Sequence, residues 1–172
     1  MKTQQILFIL VLLVLCPVFL YGQDHPELDV ATSFAIYKNE QYIFVEYTPF
    51  RQIMGNPDAE TIDPDGMDLE YGGSKFSFIT GFYQLNQSHL YFVELKDASY
   101  RVNINGVDIR VGDLADELAE HFPKSWVARR NSAVNPQNKL MSIEISEMEI
   151  IFVIFSPSTG IIISLMYDMR LT

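Results

Sequence analysis

Six carboxylates fall within residues 56–70, NPDAETIDPDGMDLE: Asp58, Glu60, Asp63, Asp65, Asp68 and Glu70. Oxygen-rich loops of this kind are what a calcium ion needs. Laid over a calcium-binding helix-loop-helix, Asp63, Asp65 and Gly66 take the third, fifth and sixth positions, which puts Thr61 at the first and Gly72 at the last. The bidentate acid that closes such a site is missing. The stretch therefore reads as a solvated turn, and without a glycine-rich phosphate cradle its DPD triplet does not read as a metal-nucleotide loop.

Other reactive types are as thinly supported. His25, His89 and His121 never stand at the i, i+4 spacing of a helical metal pair, and His121 suits the negative end of a helix dipole. Ser74 follows two glycines, but GGSKF lacks the second glycine of a nucleophile elbow. Glu144, Glu147 and Glu149 surround an expected turn, where charges are usually solvated; they are the residues a carboxylate-dependent hydrolase would use. No catalytic residue, metal ligand or cofactor is assigned on this basis. Residues 123–131, PKSWVARRN, are different: Lys124, Arg129 and Arg130 gather round the one tryptophan of a chain with 22 acidic and 12 basic residues. Trp and Arg are enriched where binding energy concentrates, so Trp126, Arg129 and Arg130 are candidate partner-binding residues. The competing reading packs Trp126 in the core and leaves the cations to balance neighbouring carboxylates.

The elements that must position these residues begin after a leader. Lys2 precedes an apolar run from Ile6 to Tyr21 interrupted by Cys16 and Pro17, which is the layout of a signal peptide. Cleavage is expected after Gly22. Cys16 follows Leu15 where a lipid-attachment signal wants a small residue, so lipidation is not expected. Removing residues 1–22 leaves 172 less 22, or 150, enough for one domain. The remaining chain has no cysteine, which excludes disulfides and thiol chemistry. Its net charge passes from −10 to −11 when Lys2 leaves. Such a surface opposes nucleic acid, which needs Lys and Arg to neutralise phosphates, and membrane contact is expected only through an uncleaved leader.

TSFAIY and QYIFVEY, parted by Lys38-Asn39-Glu40, read as a hairpin; so do YRVNI and VDIRV, parted by Asn105-Gly106. A short helix is expected after each. Phe50, Ile53 and Met54 share one face of the first, and Leu114, Leu118 and Phe122 one face of the second. Asp113 suits the N-cap of the second helix, with Asp116 and Glu117 in its first turn. Three strand-like runs follow each helix: Met67 to Tyr71, Lys75 to Thr80 and His89 to Leu95, then Leu140 to Ile145, Met148 to Phe155 and Ile161 to Tyr167. The order ββαβββ thus occurs twice, over about residues 30–97 and 98–172, and predicts a single α+β domain of antiparallel sheets with one short helix per repeat. In MEIIFVIFS the alternation fails, so both faces of that strand must be covered, by the other half, a long loop or another molecule.

TPFRQIMGNPD, followed by LEYGGSKFSF and LYFVEL, resembles the short helix, glycine-proline stop and antiparallel hairpins of small exported domains related to β-lactamase inhibitor protein and the outer-membrane assembly lipoprotein BamE. The resemblance implies a tandem α+β binding module and assigns no functional residue. The expected function is an exported, non-enzymatic interaction module of a bacterial envelope, binding a protein through a sheet face lined by aromatics, with a protein partner or self-association expected. The alternatives are the hydrolase above and a self-associating structural protein. The exported protein is expected to begin at Gln23 and contain no thiol. Intact mass with N-terminal sequencing checks this, and a species beginning at lipid-modified Cys16 would overturn it.

Overall fold

The computed structural model of the protein describes residues 27–44, 46–79 and 89–169. The expected leader with Cys16, its cut before Gln23, His25 and the expected strand residues Val45 and Thr80 lie outside the described residues. No helix among those described is long and apolar enough to cross a membrane.

Two hairpins carry the turn chemistry written in their sequences. Strand β1 (Phe34–Lys38) turns into β2 (Gln41–Tyr42) through Asn39 and Glu40, at φ 47° and 66°. Later, β7 (Tyr100–Ile104) turns into β8 (Val107–Ile109) through Asn105 and Gly106, at φ 53° and 84°. Positive φ at both central residues is the type I′ geometry that matches strand twist. Gly106 adopts it without steric cost. Glu40 has no such freedom, and its carboxylate is held by Arg101 Nη2 at 2.7 Å. The two hairpins meet through β1 and β7, with Ile36 opposite Val102, in a four-stranded sheet of order β2-β1-β7-β8.

Strands β3 (Ala59–Ile62), β4 (Gly66–Tyr71), β5 (Ser74–Ile79), β6 (His89–Leu95), β9 (Arg130–Asn131), β10 (Lys139–Ser146), β11 (Glu149–Phe155) and β12 (Ile162–Met169) form the second sheet. Its order is β3-β4-β5-β6-β12-β11-β10-β9, every neighbouring pair antiparallel. The mixture of antiparallel sheets and short helices is an α+β fold. Strands β3 and β9 are additions to the expected elements. Among the described residues the run expected as QYIFVEY contributes to the sheet only the two residues of β2.

One continuous apolar cluster lies between the sheets, drawing Ile36, Val102 and Ile104 from the smaller and Phe76, Val93 and Ile151 from the larger. A void of about 10 Å³ beside it is lined almost wholly by apolar surface, which offers a water little to bond to. Helix α1 (Tyr47–Met54) closes one side of this core. Its Phe50 is fully buried, with ring centroids 5.0 Å from both Phe76 and Phe78. Ile53 and Met54 pack against the same cluster, as their spacing predicts. Gly55 ends the helix at φ 75°, where a Cβ would be strained.

The second helical region departs from the expected single helix. It is a 3₁₀ turn over Ala115–Glu117, then α2 (Leu118–His121) and α3 (Pro123–Val127). The break falls at Phe122, at φ −133° and ψ 63°, because a residue before proline is pushed out of helical conformation. Leu118 and Phe122 are buried, but Leu114 is 50% exposed and bridges Ile161 instead of facing the core. Asp113 does not cap the helix; its Oδ2 accepts the Arg110 N–H at 2.7 Å.

Phe50→Ala is expected to cost about 3–5 kcal/mol, the usual range for emptying a buried aromatic site. A urea titration reads this as a lower midpoint at unchanged slope; a loss below about 1 kcal/mol would show that α1 is not docked as described.

Candidate functional site

Helix α3 begins with Pro123 at a position that tolerates a missing N–H. The segment ahead of β1 holds it down: Ser125 N–H donates to Asp29 Oδ2 at 2.8 Å, and Asp29 N–H donates to Ser125 Oγ at 2.9 Å. Adjacent peptides tie residues 29–31 to the border of β10, with Ala31 N–H donating to Glu144 O and Glu144 N–H to Asp29 O. With its start fixed, α3 lays half-buried Trp126 on Phe155, ring centroids 5.6 Å apart and planes 13° from parallel. The Arg129 guanidinium lies 4.3 Å from the centre of the indole, and its Nη1 donates to the Trp126 carbonyl. A core ring, an indole and a guanidinium are thus layered from the interior towards solvent. Stacking on Phe155 is the contact the packing reading of Trp126 expects, and the guanidinium adds a cation–π contact on the same ring.

Arg130 is exposed in β9, paired with Leu140 at the border of the larger sheet. Lys124 Nζ meets Glu27 Oε2 at 2.9 Å; the hydrogen bond and then the charge hold the Glu27 carboxyl below the usual range and raise Lys124. Both side chains are well exposed, so the pair contributes little stability. Beside them is an open groove of about 550 Å³ lined by Glu27, Pro123, Lys124, Val127 and Ala128. Val127 is 81% exposed. The sequence reading missed it because it lies one position from the half-buried indole in a helix of five residues, too short for periodicity to separate faces.

The acidic stretch is spent on turns and ion pairs. Asp63 Oδ1 accepts the N–H groups of Asp65 and Gly66 at 2.9 and 2.8 Å, and Asp58 Oδ2 accepts that of Gly72 at 2.6 Å. Asp68 pairs with Lys75 at 2.7 Å, and Glu60 with Arg51 at 3.6 Å. Part of the stretch is not a turn at all but the border strand β3, all four of whose residues are exposed. Among the described residues no three histidine, aspartate or glutamate side chains gather as a metal ion would require.

Two of the other reactive side chains, Ser74 and Glu149, have structural partners. Ser74 is fully buried and its Oγ accepts the Lys96 N–H at 3.0 Å. Glu149 accepts the Tyr167 hydroxyl at 2.7 Å and the Ser146 hydroxyl at 3.0 Å. Burial, reinforced by that carboxylate, pushes the Tyr167 phenol well above its usual range. Glu144 is tied by its peptide to residues 29–31, and Glu147 is exposed in the turn between β10 and β11. Comparisons of the chain with protein-family models, curated proteins and solved structures give no match.

Arg129→Ala is expected to change folding stability by less than about 1 kcal/mol, the scale of an exposed cation–π contact. Trp126→Ala should cost about 2 kcal/mol or more, because it strips the cover from Phe155. Parallel denaturation curves decide it: equal losses would show that the indole contributes no packing.

Proposed function

We propose that this chain is an exported, non-enzymatic protein-interaction module of a bacterial envelope, and that it binds through the surface centred on Trp126. The observation that carries the reading is the layered stack. A half-buried tryptophan is fixed from below by Phe155 and capped by Arg129, beside a valine that is 81% exposed. Rigid aromatic area next to a guanidinium, rimmed by further cations, is what protein hot spots are made of. The alternative hydrolase has weaker support, since Glu149 is engaged by Tyr167 and Ser146. Export rests on the leader in residues 1–22.

The scaffold is read as an internal duplication of the kind the resemblance to tandem exported domains implies. The register supports it. An offset of 66 carries Ile36 to Val102, and these two are paired across β1 and β7. Aligning the hairpin β4–β5 with β10–β11 carries Phe76 to Ile151; their partners on the next strands are Val93 and Tyr167, which pair with each other across β6 and β12. Two separate strand pairs therefore join residues to their own counterparts, as an approximate twofold axis through both sheets requires. Ile36, Val102, Val93 and Tyr167 all line the small void between the sheets. In this reading the binding surface is where the halves differ. The segment after the first helix is acidic, and the one after Phe122, helix α3 with Arg129 and Arg130 beyond it, is basic and carries the tryptophan.

The test is capture of partners from envelope extract on tagged protein, followed by affinity measurement with Arg129→Ala and Trp126→Ala, folding checked in parallel. Loss of an anchor at a desolvated centre should weaken binding by about 2 kcal/mol or more, roughly thirtyfold. Folded variants that bind every captured partner unchanged would remove this surface from consideration.

A further inference from the structure

The eight-stranded sheet ends in two borders of opposite charge. At one end β3 is exposed along all four residues, carries Glu60 and is flanked by Asp58, Asp63 and Asp65. At the other end β9 is exposed at both residues, carries Arg130 and follows Arg129. Among the described residues each strand is bonded on one side only. In β3 the closing pair is Asp63 N–H to Gly66 O, so alternation along an antiparallel ladder turns the backbone of Glu60 and Ile62 away from β4. In β9 the closing pair is Ser132 N–H to Asn138 O, which turns the backbone of Asn131 away from β10. Apolar side chains accompany both borders: Ile62 is 64% exposed, and Val134, beyond β9, 89%.

Unpaired border strands are templates for another strand, and proteins block them with charge. Charge of one sign on both borders would block every pairing. Opposite charges block only pairing of like borders, β3 with β3 or β9 with β9, and favour β3 against β9. From this we infer that the occupant of each border is a second copy of the chain, with the acidic β3 border of one copy laid against the basic β9 border of the next. The inference rests on the interaction-module reading and names the partner of the Arg129 and Arg130 side of that surface. A contact between two different borders is heterologous, so it continues into a row or ring instead of stopping at a pair. The strands are short, so each contact is weak and depends on concentration, and attraction between exposed charges makes it fall with added salt.

Sedimentation velocity on the purified protein over a range of concentration and salt reads the contact directly. Three variants separate its parts. Arg129→Glu with Arg130→Glu makes both borders acidic, and Glu60→Arg with Asp65→Arg cancels the acidity of the β3 border, setting two arginines against Asp58 and Asp63; each alone should remain monomeric. Mixed in equal amounts they should associate again, because the basic β9 border of the second variant then meets an acidic border of the first. Ile62→Pro removes one outward N–H without changing charge or a bond to β4, and should also remain monomeric with unchanged circular dichroism. A wild type that stays monomeric at low salt and high concentration would overturn the inference, as would association that both charge variants retain or a mixture that stays monomeric. If the wild type stays monomeric while folded Arg129→Ala or Trp126→Ala loses a captured foreign partner, the second copy is excluded and the binding surface stands.

Discussion

The pairing of β6 with β12 is the contact on which the other features depend. Without it the chain holds two four-stranded meanders, β3 to β6 and β9 to β12, each with a long strand at an open border. Strands β6 and β12 have seven and eight residues, rich in Leu, Val, Phe, Ile and Tyr. Either one alone would be an aggregation hazard. Joined through Leu95–Leu165 and Val93–Tyr167, they become the middle of one sheet, and the remaining borders are the short strands β3 and β9. The same seam sets the core: Val93, Leu95, Leu165 and Tyr167 form the floor over which β1 and β7 close, so the two sheets share one cluster.

Strand β11 shows how far that arrangement goes in burying apolar surface. Ile151, Val153 and Phe155 face the shared cluster and are nearly or fully buried. Ile150 and Ile154 point the other way and are 3% and 7% exposed, yet stand outside the cluster. Across the ladder Ile150 lies between Glu144 and Asp168, and Phe152 between Ser142 and Met166. Ile150 is therefore flanked by acidic side chains and Phe152 by a short one on one side. Side-by-side packing of this kind removes area from water on a sheet face, at about 25 cal/mol per Å².

What could be read from the sequence was whatever depended on local chemistry. Asn105-Gly106 demanded a type I′ turn, and Phe50, Ile53 and Met54 demanded a docked helix; both are found, because no distant residue competes with those preferences. The failures each have a competing local term. Leu118 and Phe122 marked the buried face of the second helix correctly, but Pro123 broke that helix at Phe122, and Leu114 turned outward to bridge Ile161. Strand β3 was hidden because its composition is that of a solvated loop; ladder bonds to β4, with Pro57 and Pro64 outside its ends, make it a strand. Of the candidate site, residue types were legible and the geometry was not. Nothing local to PKSWVARRN says that Phe155, 29 positions after Trp126, will lie beneath the indole.

The separation of charge within the larger sheet follows from the same economy of pairing. Charge on a border strand is inexpensive, because both faces and one side are open to water, whereas charge at the β6–β12 seam would have to be desolvated. A net charge of −10 concentrates acid wherever burial permits, and the loop around β3 is one such place. The cations are fewer, and several have local carboxylate partners: Lys75 with Asp68, Arg101 with Asp108 and Glu40, and Lys124 with Glu27. Arg129 is instead held by a ring and a carbonyl, neither of which cancels its charge. Among the described residues no carboxylate pairs with this guanidinium, so its field is directed outward, and the α3 end of the sheet favours the approach of an acidic surface.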